Sequence, residues 1–218
     1  MAAFRRLVGA ALCAGLLSGL FAAMAHQLGT VPLILEAETY EAPAHDHATT
    51  SWAPQNGIER ALYTLAADLL TAIGFALLLA AGLTLRGGAV GWRDGLFWGL
   101  AGFVTFTMAP ALGLPPEIPG TESAPLFARQ VWWLATAVST GCGLALLVFT
   151  RRPRYAILAA ILIVLPHIYG APSPAEPAAG AAPEVLAHRF AVAVTLASFL
   201  FWTALGASTG YFYRRFAA

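Results

Sequence analysis

The sequence predicts an all-α fold, a polytopic transmembrane helix bundle of about six spans, and three observations carry that prediction. Of its 218 residues, 59% are hydrophobic and only 11% charged, with a mean hydropathy of +0.71, values of the membrane class. Six apolar stretches recur along the chain, most of them close to the ~20 residues that a helix needs to cross the hydrocarbon core. The remaining charges fall in short clusters between those stretches, as loop charges do in a polytopic protein. Residues 1–218 read as one transmembrane domain. Its external loops fall at about 29–60, 114–128 and 172–185.

The first stretch, about 7–28, follows Arg5 and Arg6. Ala23-Met24-Ala25 has the small-x-small form of a signal cleavage site. The apolar run continues to Leu28, however, and Ala11, Gly15, Gly19 and Ala23 recur every four positions. Such a stripe suits a helix packed against other membrane helices, so a retained helix is the expectation and cleavage the alternative. The second stretch, about 61–85, carries Asp68. The third, about 92–113, opens on another small-residue stripe, Gly91, Gly95 and Gly99. The fourth runs over about 129–150. The fifth, about 155–171, is short and holds Pro166, so it is either a tilted span or a helix broken at that proline. The sixth covers about 186–210. Five spans would result if the first helix were cleaved or if 155–171 did not cross. Cys13 and Cys142 lie within apolar runs and read as small hydrophobes.

The arginines set an orientation. Arg5, Arg6, Arg86, Arg93, Arg151, Arg152, Arg154, Arg214 and Arg215 share one side of a six-span chain, against Arg60, Arg129 and Arg189 on the other. The positive-inside rule then puts both termini in the cytoplasm. The acids partition the opposite way. Apart from Asp68 and the cytoplasmic Asp94, all are external.

Under this topology all five histidines lie externally. His26 closes the first helix, His45 and His47 sit in the first loop, His167 ends the fifth helix and His188 opens the sixth. Glu36, Glu38 and Glu41 stand near the first three. Imidazole with carboxylate suits divalent first-row ions, which makes these eight residues the candidate metal ligands. A polar loop that merely contains histidines is the competing reading. Glu184, four residues before His188, is placed to pair with it on a first helical turn. His167 follows Pro166, and a proline-broken helix end exposes carbonyls of the kind that cation sites use. Tyr169 and Gly170 help shape that end, unless the histidine and tyrosine are interfacial anchors. Asp68 is an ionisable group deep in an apolar segment, and such residues face a bundle interior or a wet path. It is a pathway candidate, with Gln130 as a structural partner or second lining residue.

Several function classes drop out. The chain has no glycine-rich phosphate loop, His-Glu-x-x-His, Cys-x-x-Cys or nucleophile elbow, so no enzyme is expected and ATP coupling would need another subunit. A net charge of +1 offers nothing for nucleic acid, leaving membrane lipid as the general partner. No permanently bound cofactor is expected.

Four segments resemble the CbtA family of predicted cobalt transporter subunits, and the likeness covers essentially the whole chain. They are Thr30-Val31-Pro32-Leu33-Ile34-Leu35-Glu36-Ala37-Glu38-Thr39-Tyr40-Glu41, then Pro110-Ala111-Leu112-Gly113-Leu114-Pro115-Pro116-Glu117-Ile118-Pro119-Gly120. Arg129-Gln130-Trp132-Trp133 and Leu165-Pro166-His167-Ile168-Tyr169-Gly170-Ala171-Pro172 complete the set. The resemblance implies a bacterial inner-membrane protein that takes up Co²⁺ for cobalamin synthesis. It also implies a small one-helix partner of CbtB type with a histidine-rich end. That family is described with about five spans. The resulting expectation is uptake of a divalent transition-metal cation, cobalt first, by a transporter or transporter subunit. The alternative is a structural or assembly subunit that carries no ion. Self-association is compatible with either.

Overall fold

A computed structural model describes residues 1–40, 54–150, 152–174 and 182–217, and every regular element among them is helical. Helix α1 spans Ala2–Ala25, a π-helical turn His26–Thr30 follows, and α2 spans Val31–Glu38. Helix α3 is Ile58–Arg86 and α4 is Trp92–Phe103. A second π turn, Val104–Met108, leads into the short α5, Ala109–Ala111. Helices α6 (Leu126–Phe149), α7 (Pro153–Tyr169) and α8 (Glu184–Arg215) complete the chain. All six expected stretches are therefore helical.

Among the described residues, four helices are long and apolar enough to cross a membrane: Ala3–Glu38, Ile58–Arg86, Leu126–Phe149 and Glu184–Arg215. Helix α7 has 17 residues, at the short limit for a span. One boundary differs markedly from expectation. The first helix does not stop near Leu28 but runs on to Glu38, which makes Glu36 and Glu38 helical rather than loop residues. A helix of 36 residues is about 54 Å long, well beyond a ~30 Å hydrocarbon core.

Both π turns end two residues before a proline, Pro32 and Pro110. In each turn the N–H of the residue just before that proline bonds five residues back, Val31 to the His26 carbonyl and Ala109 to that of Val104. A proline ring inside a regular α-helix clashes with the carbonyl four residues earlier. The wider turn removes that clash while the helix continues.

Along the seam of α1 and α3 small residues face inward and many large ones outward, although Leu79 and Leu83 of α3 are buried. In α1, Ala10, Ala11, Ala14, Ala22 and Ala23 are buried, while Leu12, Leu16, Leu17 and Leu20 are exposed. In α3, Ala72, Ala76 and Ala80 are buried and Leu62, Leu70 and Leu78 exposed. Water would reverse that arrangement. In lipid, tails are as apolar as leucine, so helices associate through close packing of small residues instead.

The chain forms two compact units. The first comprises residues 1–32, 42–100 and 196–218, the second residues 33–41 and 101–195. In the first unit, a Cβ on Gly15 would lie 2.6 Å from the Ile73 Cα, and one on Gly19 would lie 2.9 Å from the Leu69 Cα. The small-residue stripe of α1 is thus the seam against α3. Gly95 and Gly99 of α4 meet Gly206 and Gly210 of α8 in the same way, backbone against backbone. In the second unit α6 packs on α7, with Gly143 against Ala159 and Ile163. Leu33 and Ala37 of α2 share a core with Ile118, Leu186 and Phe190.

Candidate functional site

Within the first unit, His26 and Asp68 meet. His26 Nδ1 lies 3.1 Å from Asp68 Oδ2, with side chains 35% and 14% exposed. Sequence reasoning treats these two as separate stations along a path, whereas the structure makes them one pair. The geometry follows from the seam. Helices α1 and α3 run antiparallel, since Gly15 faces Ile73 and Gly19 faces Leu69. Side chains on a helix lean toward its N-terminus. His26 therefore leans back along α1 and Asp68 leans back along α3, toward each other. Ala22 and Ala23, both buried, are too small to obstruct them.

A carboxylate only accepts, so in this pair the imidazole donates through Nδ1. That fixes the tautomer and leaves Nε2 as the nitrogen with a lone pair. Metal-binding histidines are oriented by the same carboxylate–imidazole arrangement. His26 also opens a π turn, a local widening often found at functional sites. The sequence signal for that turn was Pro32, six residues on.

Within the second unit, the segments that carry the family resemblance converge. The indole of Trp132 donates through Nε1 to the Pro166 carbonyl at 3.2 Å. Its ring stands edge-on to His167, with centroids 5.8 Å apart. A Cβ on Gly113 would lie 2.3 Å from the same indole and 2.9 Å from the Ala171 Cβ, so only glycine admits the tryptophan there. Ile118, from the same segment as Gly113, packs with Leu33 and Ala37 in a core of the same unit. Pro166 is buried inside α7, and the helix stops at Gly170 with a φ of 91°, a conformation that glycine takes readily. His167 Nε2 is buried without a hydrogen-bond partner, as are the hydroxyls of Thr136 and Thr140 on α6. Neither threonine figures among the sequence candidates.

Gln130 is exposed and helps line a cavity of about 430 Å³ with Arg129, Glu117, Phe106 and Trp133. Glu117 accepts a 3.0 Å ion pair from Arg129 and a short hydrogen bond from Ser123.

The remaining candidates stand apart. Glu36 is exposed and Glu38 half-buried on α2. His188 and Glu184 are exposed on the first turns of α8. Tyr169 is 87% exposed, the position of an interfacial anchor. Glu41, His45 and His47 lie outside the described residues. Among the described residues, no group of three or more His, Cys, Asp or Glu side chains gathers closely enough to hold a metal ion.

Residues 4–214 match the family described as probable cobalt transporter subunit (CbtA). No curated protein and no solved structure matches the chain.

Proposed function

Because the chain belongs to the CbtA family, probable cobalt transporter subunits, we propose that it carries a divalent transition-metal cation, cobalt foremost, into the bacterial cytoplasm across the inner membrane. The observation that carries this reading is the His26–Asp68 pair, a carboxylate-oriented imidazole on an otherwise apolar helix seam. Asp68 holds the ring and His26 Nε2 meets the ion. One imidazole and a neighbouring carboxylate leave most of the coordination shell to water. That is a weak grip, and weak grips suit transit. Glu36, Glu38, Glu41, His45 and His47 gather the ion outside, and His167, aligned by Trp132, is a second polar station in its own unit, with His188 beyond it. Inward movement of a divalent ion gains about 4.6 kcal/mol per 100 mV of membrane potential, twice the single-charge value.

The family's description as a subunit implies a partner. A small membrane protein of CbtB type, with histidines at its end, would complete a ligand set that this chain supplies only in part. The absence of a three-ligand cluster among the described residues favours one other reading, an assembly subunit that binds no ion itself.

Uptake of radiolabelled cobalt into vesicles containing this chain, with and without its partner, separates the two. Asp68→Asn and His26→Gln should each lower uptake about tenfold, a loss of orientation of the size found for outer-shell partners of metal ligands. The double variant should be no worse than either, because the two act as one unit. Undiminished uptake in both single variants, at equal membrane abundance, would leave the assembly reading standing.

A further inference from the structure

At the end of the first unit that carries both chain termini, a cavity of about 730 Å³ opens between the start of α1, the 88–91 turn, the first turn of α4 and the end of α8. Arg6, Arg93 and Arg214 line it. Among the described residues Asp94 is the one acid on its wall, and its charge is already engaged: Oδ1 accepts from Arg86 at 2.8 Å and Oδ2 from the Gly91 N–H at 2.9 Å. The cavity therefore keeps a surplus of about three positive charges, because Arg86 cancels Asp94.

Arg6 is fixed in place. Its Nε donates to the Tyr213 carbonyl at 2.8 Å, and its guanidinium lies 3.8 Å from the centre of the Tyr213 ring. The Tyr213 hydroxyl in turn donates to Thr84 Oγ1 at 2.9 Å. This leaves the terminal nitrogens of Arg6 for an acceptor that the described residues do not supply. A guanidinium held this way is prepared for a planar oxyanion contact, which suits phosphate.

The surroundings decide the kind of anion. Phe4 of α1, Leu85 at the end of α3, Trp92 on the cavity wall and Phe216 just beyond α8 are all exposed, apolar and aromatic side chains of the kind that collar a protein at membrane–water interfaces. A soluble anion has no use for such a collar, whereas a molecule with a phosphate head and acyl chains does. We propose that this cavity holds the phosphate of an anionic phospholipid at the membrane surface. The site lies at the opposite end of α1 and α3 from the His26–Asp68 pair and does not depend on which ion the chain moves. Its occupant would clamp α1, α4 and α8 together where their arginines otherwise repel.

The full chain, purified in a neutral detergent, is titrated with short-chain phosphatidylglycerol, phosphatidylcholine or inorganic phosphate, and bound molecules are counted by native mass spectrometry. Phosphatidylglycerol should be retained in preference to phosphatidylcholine. Arg93→Gln/Arg214→Gln, which spares the structural Arg6, should weaken retention about thirty-fold, roughly five-fold per arginine removed. Arg5→Gln/Arg215→Gln removes the same charge from outside the cavity and should change retention by less than about two-fold. Melting each variant without lipid identifies any loss of fold, and Arg214→Gln alone, at the exposed end of α8, serves if the double variant does not fold. Unchanged retention in a folded cavity variant overturns the proposal. So does equal loss in both double variants, which would assign the effect to diffuse surface charge. Displacement of phosphatidylglycerol by inorganic phosphate at equal concentration would make the ligand a soluble phosphate and overturn the lipid assignment.

Discussion

The two units of this protein solve helix packing in lipid by different means. In the first, glycines bring backbones into contact: Gly15 and Gly19 on α3, and Gly95 and Gly99 on Gly206 and Gly210. Few side chains intervene, and the two that matter, His26 and Asp68, stand beside a seam whose spacing is fixed by the backbones themselves. In the second, Gly143 likewise admits α7 against α6, but a single large ring is the anchor beside the polar residue. Trp132 fills the notch over Gly113, bonds the Pro166 carbonyl and abuts His167. A backbone seam tolerates no added atom, whereas a ring in a notch tolerates modest trimming. The first unit thus holds its polar pair rigidly, and the second holds its histidine through one replaceable anchor.

The largest effect should come from the backbone seam. A Cβ at Gly95 would lie 2.2 Å from the Gly206 carbonyl oxygen and 2.7 Å from the Gly210 Cα, so a Gly95→Leu side chain must push two helices apart. Overpacking of this kind costs more than about 3 kcal/mol, and folded protein should be nearly absent from membranes when assayed by size-exclusion fluorescence. Wild-type abundance would show that the seam yields, and the contrast between the units would be lost.

A middle-sized effect is expected at the ring. Trp132→Ala should destabilise by about 3 kcal/mol through lost packing, read as a lower melting temperature in detergent. Trp132→Phe keeps the ring and loses one hydrogen bond, a cost of about 1 kcal/mol. Because the Pro166 carbonyl also accepts from the Gly170 N–H at 3.1 Å, removing the indole donor does not orphan it. If the two variants melt alike, the hydrogen bond rather than the packed ring is the anchor.

The smallest effect sharpens the claim about glycine. Gly74 lies in α3 with nothing within 4 Å of its would-be Cβ. Gly74→Ala should therefore raise stability slightly, by about 0.5 kcal/mol, through the better helix propensity of alanine. A large loss there would mean that glycine matters in this helix for some reason other than contact.

How much of this was legible in the sequence differs from residue to residue. Six helical stretches, the gathering of arginines at one end of the first unit and the small-residue face of α1 were all readable. Each depends only on local composition and a fixed helical period, which lipid enforces because every backbone N–H and C=O must be satisfied within its own helix. The π turns were half legible, since Pro32 and Pro110 marked where the ladder had to widen. The continuation of the first helix to Glu38 was not, because it rests on Leu33 and Ala37 finding Ile118, Leu186 and Phe190, residues roughly eighty or more positions away.

The sequence by itself determined that the chain is a membrane helix bundle and which of its histidines and carboxylates were available. Only the tertiary structure decided which of them meet. His26 and Asp68 are 42 positions apart, and their contact depends on how α1 and α3 are rotated and staggered, a choice made by Gly15 and Gly19 against the backbone of α3. The same holds for Gly113, Trp132 and Pro166, each unremarkable alone, which become one unit through the fit of a ring into a notch. Helical period is written in neighbouring residues, whereas helix register is a property of two surfaces pressed together.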